Sequence, residues 1–390
     1  MGEAYIVEAV RTAGGRRNGR LSGVHPVDLG AVVINALLDR TGADPAAVED
    51  VVFGCVSQIG EQASNIGRNV VLASRLPQMT PGVTVDRQCG SSQQALHFAA
   101  HTVMAEGQDV VIAGGVEGMS RTPMGSPGAI ALEHGLGDYK SPGIEARYPG
   151  PAFSQFIGAE MVAQKYGFDR ETLDRFALAS HQKAVQAISE QRFKTEIVGM
   201  DVLGPDGALA YHDQDEGVRF GATLEGIASV KLLQEGGVIS AANASQLCDG
   251  ASALMIANLR GLKALGANPI GRIVQTAVVG GDPVIMLDAP ADATAKVLDR
   301  AGMSIDDIDL FEVNEAFASI PLAWLQRTGA DPEKMNIHGG AIALGHPLGA
   351  SGTKLIATLL NALEARGKRY GLLTMCEGGG MSNATIIERF

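Results

Sequence analysis

The residue types able to do covalent chemistry sit in a few short, glycine-rich stretches. VDRQCGSSQQA, residues 85–95, sets Cys89 among glycine and small polar residues where a strand pattern gives way to a helical one. At the N-terminus of a helix, free backbone N–H groups and the helix dipole stabilise a thiolate, the nucleophilic form of cysteine. Gly90 beside it lets another backbone or a ligand come close. An inert buried thiol is the alternative, and this stretch alone leaves both readings open. HGGAIALGHPLGASG, residues 338–352, has too many glycines and a His-Pro step to be a plain helix or strand. It predicts a tight loop leading into a helix, with His346 held beside Pro347 as a fixed acid or base. In TMCEGGGMS, residues 374–382, Cys376 ends an apolar strand, and the glycines after it expose N–H groups suited to an oxyanion. A packed strand-end thiol is the alternative there. In VNEAFAS, residues 313–319, Asn314 follows the strand DLFEV, and on this motif alone a helix N-cap is the simpler reading.

The elements that must position these residues occur twice. Residues 37–53, LLDRTGADPAAVEDVVF, and 297–311, VLDRAGMSIDDIDLF, each read as a helix ending in LDR, a glycine stop, an acidic loop and an apolar strand. Residues 110–120, VVIAGGVEGMS, and 372–382, LLTMCEGGGMS, are both apolar strands running into glycines and closing on Met-Ser. Helical patterns precede them at 91–105 and 351–364. The spacing of about 260 residues is too long for a solenoid and indicates duplication of one α/β domain. Strands alternating with helices predict parallel sheets sandwiched by helices. PIGRIVQTAVV, residues 269–279, echoes EAYIVEAVRTA, residues 3–13, at the start of the second copy. The division expected is residues 1–118 with 249–268 as the first half, 119–248 as an insertion and 269–390 as the second half. Within the insertion, residues 121–156 read as a long loop. GFDRETLDRFALASHQKAVQAISEQ then predicts a helix with Leu173, Phe176, Ala177, Ser180, Ala184 and Ile188 on the packed face and Asp169 as N-cap. The insertion is a natural cover for a substrate.

Composition narrows the function class. In 390 residues, 46% are hydrophobic and 19% charged, enough apolar surface for large buried sheets. A net charge of −12 argues against a nucleic-acid partner. A phosphorylated small ligand stays compatible, since a few cations and backbone amides suffice locally. The cysteines Cys55, Cys89, Cys248 and Cys376 are scattered without CxxC pairing, which disfavours a disulfide framework or a metal site and fits a reducing compartment. No apolar run is long enough to span a membrane. The N-terminus MGEAYIVEAV carries Glu3 and Glu8 and runs into a strand pattern, so no signal peptide is expected and the cytoplasm is the default.

Taken together in order, VEAVRTAGG, VDRQCGSSQQA, AGGVEGMS, NEAFA, GGAIALGHPLGASG and CEGGGMS resemble the thiolase family along the whole chain. The resemblance implies a duplicated α-β-α-β-α sandwich with an inserted loop domain, assembled as a homodimer or homotetramer. It implies ping-pong acyl transfer through an acyl-Cys89 thioester, with His346 as base and oxyanion donor, Cys376 as acid and base, Asn314 holding a water at one oxyanion, and the N–H of Gly378 at the other. Coenzyme A and its acyl thioesters enter as substrates, with no permanently bound cofactor and no metal. By the same resemblance Ala244 and Ser245 in ANASQ, with Ala316 and Phe317, flank the pantetheine, and Arg219 in RFGATLE lies near the nucleotide. Cys55 and Cys248 are packing residues.

The resemblance has departures. FSQFIGAEM places Ser154 and Gln155 where small-substrate thiolases carry a methionine over the acyl pocket, leaving Phe156 and Ile157 as apolar cover. Glu377 and Ser382 stand where many members have an apolar residue and glycine, and His338 replaces a common asparagine. The combination is most similar to thiolases of actinobacterial type, some of which act on steroid-derived or branched acyl groups. Thiolytic breakdown of a 3-ketoacyl-CoA to acetyl-CoA or propionyl-CoA and a shortened acyl-CoA, in fatty-acid or steroid degradation, is the leading expectation. A biosynthetic acetoacetyl-CoA thiolase and a non-catalytic carrier of acyl-CoA or lipid are the alternatives.

Overall fold

The computed structural model describes residues 2–150, 153–204 and 206–390. Pro151 and Ala152 of the expected 121–156 loop therefore lie outside the described residues. The strands that carry the architecture are β1 (Ala4–Thr12), β2 (Asp50–Gly54), β3 (Gly82–Val85), β4 (Val110–Gly118), β5 (Cys248–Ala257), β6 (Gly271–Gly280), β7 (Leu310–Val313), β8 (Tyr370–Glu377) and β9 (Met381–Arg389). They are hydrogen-bonded in the order β7-β8-β9-β6-β1-β5-β4-β2-β3. The middle of this row is thin. β1 and β6 pair only through Ala4 with Ile273, Tyr5 with Arg272 and Ile6 with Gly271. On either side the same pattern recurs: β2 runs parallel to β4, while β5 is antiparallel to both β4 and β1. In the other copy β7 runs parallel to β8, and β9 is antiparallel to both β8 and β6.

The sheets are thus mixed rather than parallel as the strand–helix alternation predicted. The short turn Gly378–Gly380 explains one antiparallel pair, because a tight turn can only return the chain antiparallel, whereas a parallel neighbour needs a long crossover. Gly379 and Gly380 both take φ +80°, a left-handed conformation natural to glycine.

The main helices are α1 (Pro26–Thr41), α2 (Ile66–Ala73), α3 (Ser91–Met104), α4 (Gln155–Tyr166), α5 (Arg170–Ser189), α6 (Pro290–Ala301), α7 (Ser319–Thr328) and α8 (Ser351–Arg366). α3 and α8 lie between the sheets. Leu96, Ala99 and Val103 of one and Ile356, Leu359 and Leu363 of the other form a single core with Val111, Leu254, Leu373 and Ile387. α8 is buried from Ser351 through Leu360, the polar Ser351, Thr353, Lys354 and Thr358 included. α1 and α2 cover the outer side of the first sheet, and α6 with Trp324 of α7 covers the second.

Two close approaches require glycine. A side chain at Gly352 would place its Cβ 2.3 Å from the backbone N of Gln93, and one at Gly115 would fall 2.0 Å from the carbonyl of Gly349. The first lets α8 cross α3 backbone to backbone, and the Thr353 N–H donates to Ser92 Oγ at 3.1 Å. The N-terminal ends of both central helices therefore meet in the middle of the molecule.

The stretch expected as loop contains two short helices, Ser126–Glu133 and Pro142–Arg147. Neither buries a residue, so there was no periodic apolar face to announce them. α5 forms as expected, with Asp169 accepting from the Thr172 N–H at 2.8 Å. Among the described residues no helix is long and apolar enough to cross a membrane, and no group of His, Cys, Asp or Glu is arranged to hold a metal ion.

Candidate active site

Cys89 sits just before α3, in a turn that the backbone reaches at some cost. Gln88 takes φ +50°, a left-handed conformation unusual for a residue with a side chain. It is held there by Asp86, whose Oδ1 accepts from the Gln88 N–H at 2.7 Å and from Nε2 at 3.3 Å. The Cys89 side chain is 8% exposed and packs with Met119, Leu348, Met375, Val56 and Leu247. Burial pushes its thiol up to about 12, with the Glu377 carboxyl adding to the rise, while the backbone N–H groups of Cys89 itself and of Gly378 pull it back down. The expected thiolate stabilisation at the helix start is thus present but outweighed by desolvation in the resting protein. A proton acceptor is needed to generate the nucleophile.

His346 carries an imidazole whose own hydrogen bonds fix its state. Its ring is buried, and its Nδ1 lies 2.5 Å from Ser351 Oγ. The Ser351 hydroxyl spends its one proton on the carbonyl of Pro347 at 2.8 Å, so it must accept from Nδ1–H. Nε2 is therefore the unprotonated nitrogen. It faces Asn314 Nδ2 at 3.4 Å. Burial and the nearby charge of Lys354 lower the His346 ring to about 3, which keeps it neutral.

The loop bearing His346 is braced on all sides. The His346 N–H donates to the Gln246 carbonyl at 3.1 Å. Buried Lys354 donates to the carbonyls of Leu344 and Gly345, both at 2.9 Å. Glu117 at the end of β4 accepts from the N–H groups of Val56, Ser57 and Gly349 at 2.9–3.0 Å. Glu315 accepts from Ser180 Oγ at 2.7 Å, Asn336 Nδ2 at 2.9 Å and the Ile342 N–H at 3.2 Å. Arg11, fully buried, bonds Glu196 at 2.6 Å and Asp215 at 2.8 Å, tying β1 to the segment after α5. Since a buried unpaired charge is costly, each of these groups demands its partner and so holds its segment in place.

Asn314 is no helix cap. Its N–H donates to the Thr374 carbonyl at 3.1 Å, and its buried Oδ1 has no protein partner, leaving an acceptor free for a water or substrate group. Cys376 is fully buried one residue before the end of β8, opposite Ser382. Burial raises its thiol well above the ordinary value, and Cys89 contributes to the rise, so the two sulfur groups feel one another.

A cavity of about 460 Å³ reaches His346 and is lined also by Arg16, Arg17, Met119, Met124, Phe156, Arg219, Ala244, Ser245, Leu247, Ala316, Phe317 and Leu348, among others. Met119, Leu247 and Leu348 are also the residues packed on Cys89. Ser245 donates its N–H to the Ala316 carbonyl at 2.9 Å, and Ala244 bridges Phe317, so the residues expected along the pantetheine form one wall. Arg219, Ala241 and Gln246 are shared with an adjoining cavity of about 650 Å³ beside His181 and Val218. Phe156 meets Phe317 edge-on at 5.9 Å, and Met124 lies beside Gln155 at 3.2 Å. Ile157 does not line the cavity. A methionine does cover the pocket, then, but it comes from the segment before the short helix at 126–133 rather than from the start of α4.

None of the four cysteines is itself a lining residue of this cavity, and burial raises the thiols of Cys55 and Cys248 as it does those of Cys89 and Cys376. Sequence reasoning missed Ser351, Gln246, Lys354 and the bracing roles of Glu117 and Glu315. The two glutamates lay within quoted motifs, and a carboxylate inside a glycine-rich apolar run is the signal that marks a buried brace.

A thiol seated under two backbone N–H groups, a neutral imidazole with a free Nε2 and a second thiol, all on a duplicated α/β scaffold, define an acyltransferase of the cysteine-nucleophile type. The sequence matches the family description "Thiolase, N-terminal domain" over residues 4–259 and "Thiolase, C-terminal domain" over 267–389, and the chain belongs to the thiolase family. It is 50% identical to the steroid 3-ketoacyl-CoA thiolase FadA6 of Mycobacterium tuberculosis, an alignment covering 100% of this chain and 95% of that protein. Identity to the 3-ketoacyl-CoA thiolase of Bacillus subtilis is 38%, over 100% of both chains. The acetyl-CoA acetyltransferase of Bacillus anthracis, a crystal structure, superposes with a TM-score of 0.91 at 33% identity, covering 100% of this chain and 99% of that one.

Proposed function

We propose that this acyltransferase is a degradative thiolase that cleaves a 3-ketoacyl-CoA with coenzyme A. The reading is supported by Cys89 lying within reach of the Gly378 N–H and the Cys376 thiol, and by Met119, Leu247 and Leu348, which pack on Cys89, lining the same cavity as His346. Nε2 of His346 takes the Cys89 proton as the sulfur attacks the keto carbon. The carbonyl oxygen becomes an oxyanion, stabilised by preorganised N–H donors worth about 3–4 kcal/mol each. Its collapse breaks the bond between the α and β carbons, leaving an acyl-Cys89 thioester and the enolate of acetyl-CoA, or of propionyl-CoA for an α-methyl substrate. Asn314 and His346 stabilise the enolate oxygen while Cys376 gives its proton to the α carbon. The Cys376 thiolate then takes the thiol proton of coenzyme A, whose sulfur attacks the acyl group and expels the Cys89 thiolate, which recovers its proton from His346.

Ala244, Ser245, Ala316 and Phe317 are assigned to the pantetheine and Arg219 to the nucleotide end. The division expected from the sequence suits this placement, with residues 119–248 supplying the outer wall. The relatives' names and the apolar pocket under Phe156 and Met124 favour an acyl group larger than acetyl, of fatty or steroid origin. The edge strand β3, with Val83 exposed beside exposed Leu72, Met79 and Phe98, supports assembly with a second copy. A cytoplasmic setting fits the reduced cysteines.

The test is thiolysis across acetoacetyl-CoA and straight-chain, branched and steroid-derived 3-ketoacyl-CoA thioesters, followed by loss of the enolate absorbance, with the acyl-enzyme mapped by mass spectrometry. Turnover with label on Cys89 is expected. Tight coenzyme A binding with no acylation of Cys89 by any thioester would make the protein a carrier instead.

A further inference from the structure

Glu377, the residue after Cys376, has no part in the mechanism above, yet it is placed against the nucleophile. Its side chain is 0% exposed, and neither carboxyl oxygen has a hydrogen-bond partner. It packs on Gly90, where a Cβ would fall 2.0 Å from Glu377 Oε1 and 2.8 Å from Asn383 Nδ2. Asn383 in turn donates to the Gly90 carbonyl at 3.2 Å, and its own Oδ1 is unpartnered. A buried carboxyl group without a hydrogen-bond partner thus faces the start of α3, with Gly90 and Asn383 against it and Arg87 and Asp86 as the charged groups acting on it.

We propose that Glu377 is a positioning residue that governs the nucleophile electrostatically: neutral, it permits Cys89 to become a thiolate, and ionised, it opposes both that thiolate and the oxyanion beside it. The inference rests on the assignment of Cys89 as nucleophile. Burial raises the Glu377 carboxyl to about 8, with Arg87 favouring the ion and Asp86 opposing it. Glu117 of β4 also disfavours the Cys89 thiolate, and Glu377 raises Cys376 as well as Cys89. The sign follows directly. Below that range Glu377 is protonated and silent. Above it a negative charge stands beside the sulfur, and the two groups titrate as a coupled pair.

The experiment compares the parent enzyme with Glu377→Gln and Glu377→Ile, both of which remove the ionisable group. Iodoacetamide is the probe, with Cys89 labelling mapped by mass spectrometry from pH 6 to 10 and acetoacetyl-CoA thiolysis measured over the same range. In the parent, labelling is expected to flatten as Glu377 ionises. In both variants it keeps rising, with the apparent thiol titration lowered by about one pH unit and labelling at alkaline pH faster by about tenfold. Glu377→Asp retains the flattening. Profiles of unchanged shape in folded variants, or a rate loss equal at every pH, overturn this inference while leaving Cys89 as nucleophile. Absence of Cys89 labelling in the parent overturns both.

Discussion

Replacing Ser351 with alanine removes the one group that dictates which nitrogen of His346 carries the proton. In the parent, Ser351 Oγ accepts from Nδ1–H at 2.5 Å and donates to the Pro347 carbonyl at 2.8 Å. The imidazole is 3% exposed, so solvent does not replace the lost acceptor. An orphaned buried donor costs about 1–3 kcal/mol. The ring escapes that cost by moving its proton to Nε2, which then donates to Asn314 once that amide has turned its Oδ1 inward, and no longer accepts a proton from Cys89. Either outcome raises the barrier to acylation by a similar amount, a loss of about 5- to 150-fold in kcat/KM. Stability falls only slightly, because the Pro347 carbonyl loses one of two donors and keeps the Ala350 N–H at 2.9 Å. The assay is single-turnover acylation of Cys89 with steady-state acetoacetyl-CoA thiolysis, on Ser351→Ala and Ser351→Thr. Threonine keeps a hydroxyl and is expected to restore most of the rate. An alanine variant within about twofold of the parent, at unchanged stability, would refute the tautomer assignment, since a twofold effect is under half a kcal/mol.

Gly352→Ala forces a Cβ against the Gln93 backbone, where no flexible side chain can yield, and is expected to destabilise the fold by about 3 kcal/mol in urea unfolding with loss of activity. A stable, active variant would show that the two central helices can separate freely. His97 is buried, with Nε2 at 2.8 Å from Thr385 Oγ1 and no partner at Nδ1, and burial lowers it from 6.5 to about 3. The unfolded chain takes up this proton first as pH falls. The His97 contribution is therefore complete above pH 6.5 and declines through the window down to about 3, amounting to about 2 kcal/mol lost by pH 5. His97→Leu is expected to flatten the acid side of the stability profile, and an identical slope in parent and variant would contradict the shift.

The repeated helix–strand pattern was readable from residues 37–53 and 297–311 because each copy carries its own periodicity, glycine stop and acidic loop. Asp169 at the start of α5 was readable for a similar local reason, as a cap satisfies N–H groups only a few residues away. Strand direction was not. Parallel and antiparallel strands bury the same apolar residues, and only the connection length, Gly378–Gly380 for β8 and β9, separates them. The short exposed helices at 126–133 and 142–147 were missed because nothing in them is buried. Asn314 was misread locally as a cap because its partner, His346, is distant in the chain and reached only through the fold.

The sequence by itself determined the family, the doubled scaffold and the chemical types at Cys89, His346 and Cys376, since these depend on residue identity and short-range patterning. The tertiary structure decided what those groups are in practice: a thiol kept protonated by burial, an imidazole kept neutral and turned by Ser351, and a glutamic acid set against the nucleophile. The reason is physical. Desolvation and hydrogen-bond partnership come from segments far apart in the chain, and they exist only once two glycine-bearing helices have brought both halves together.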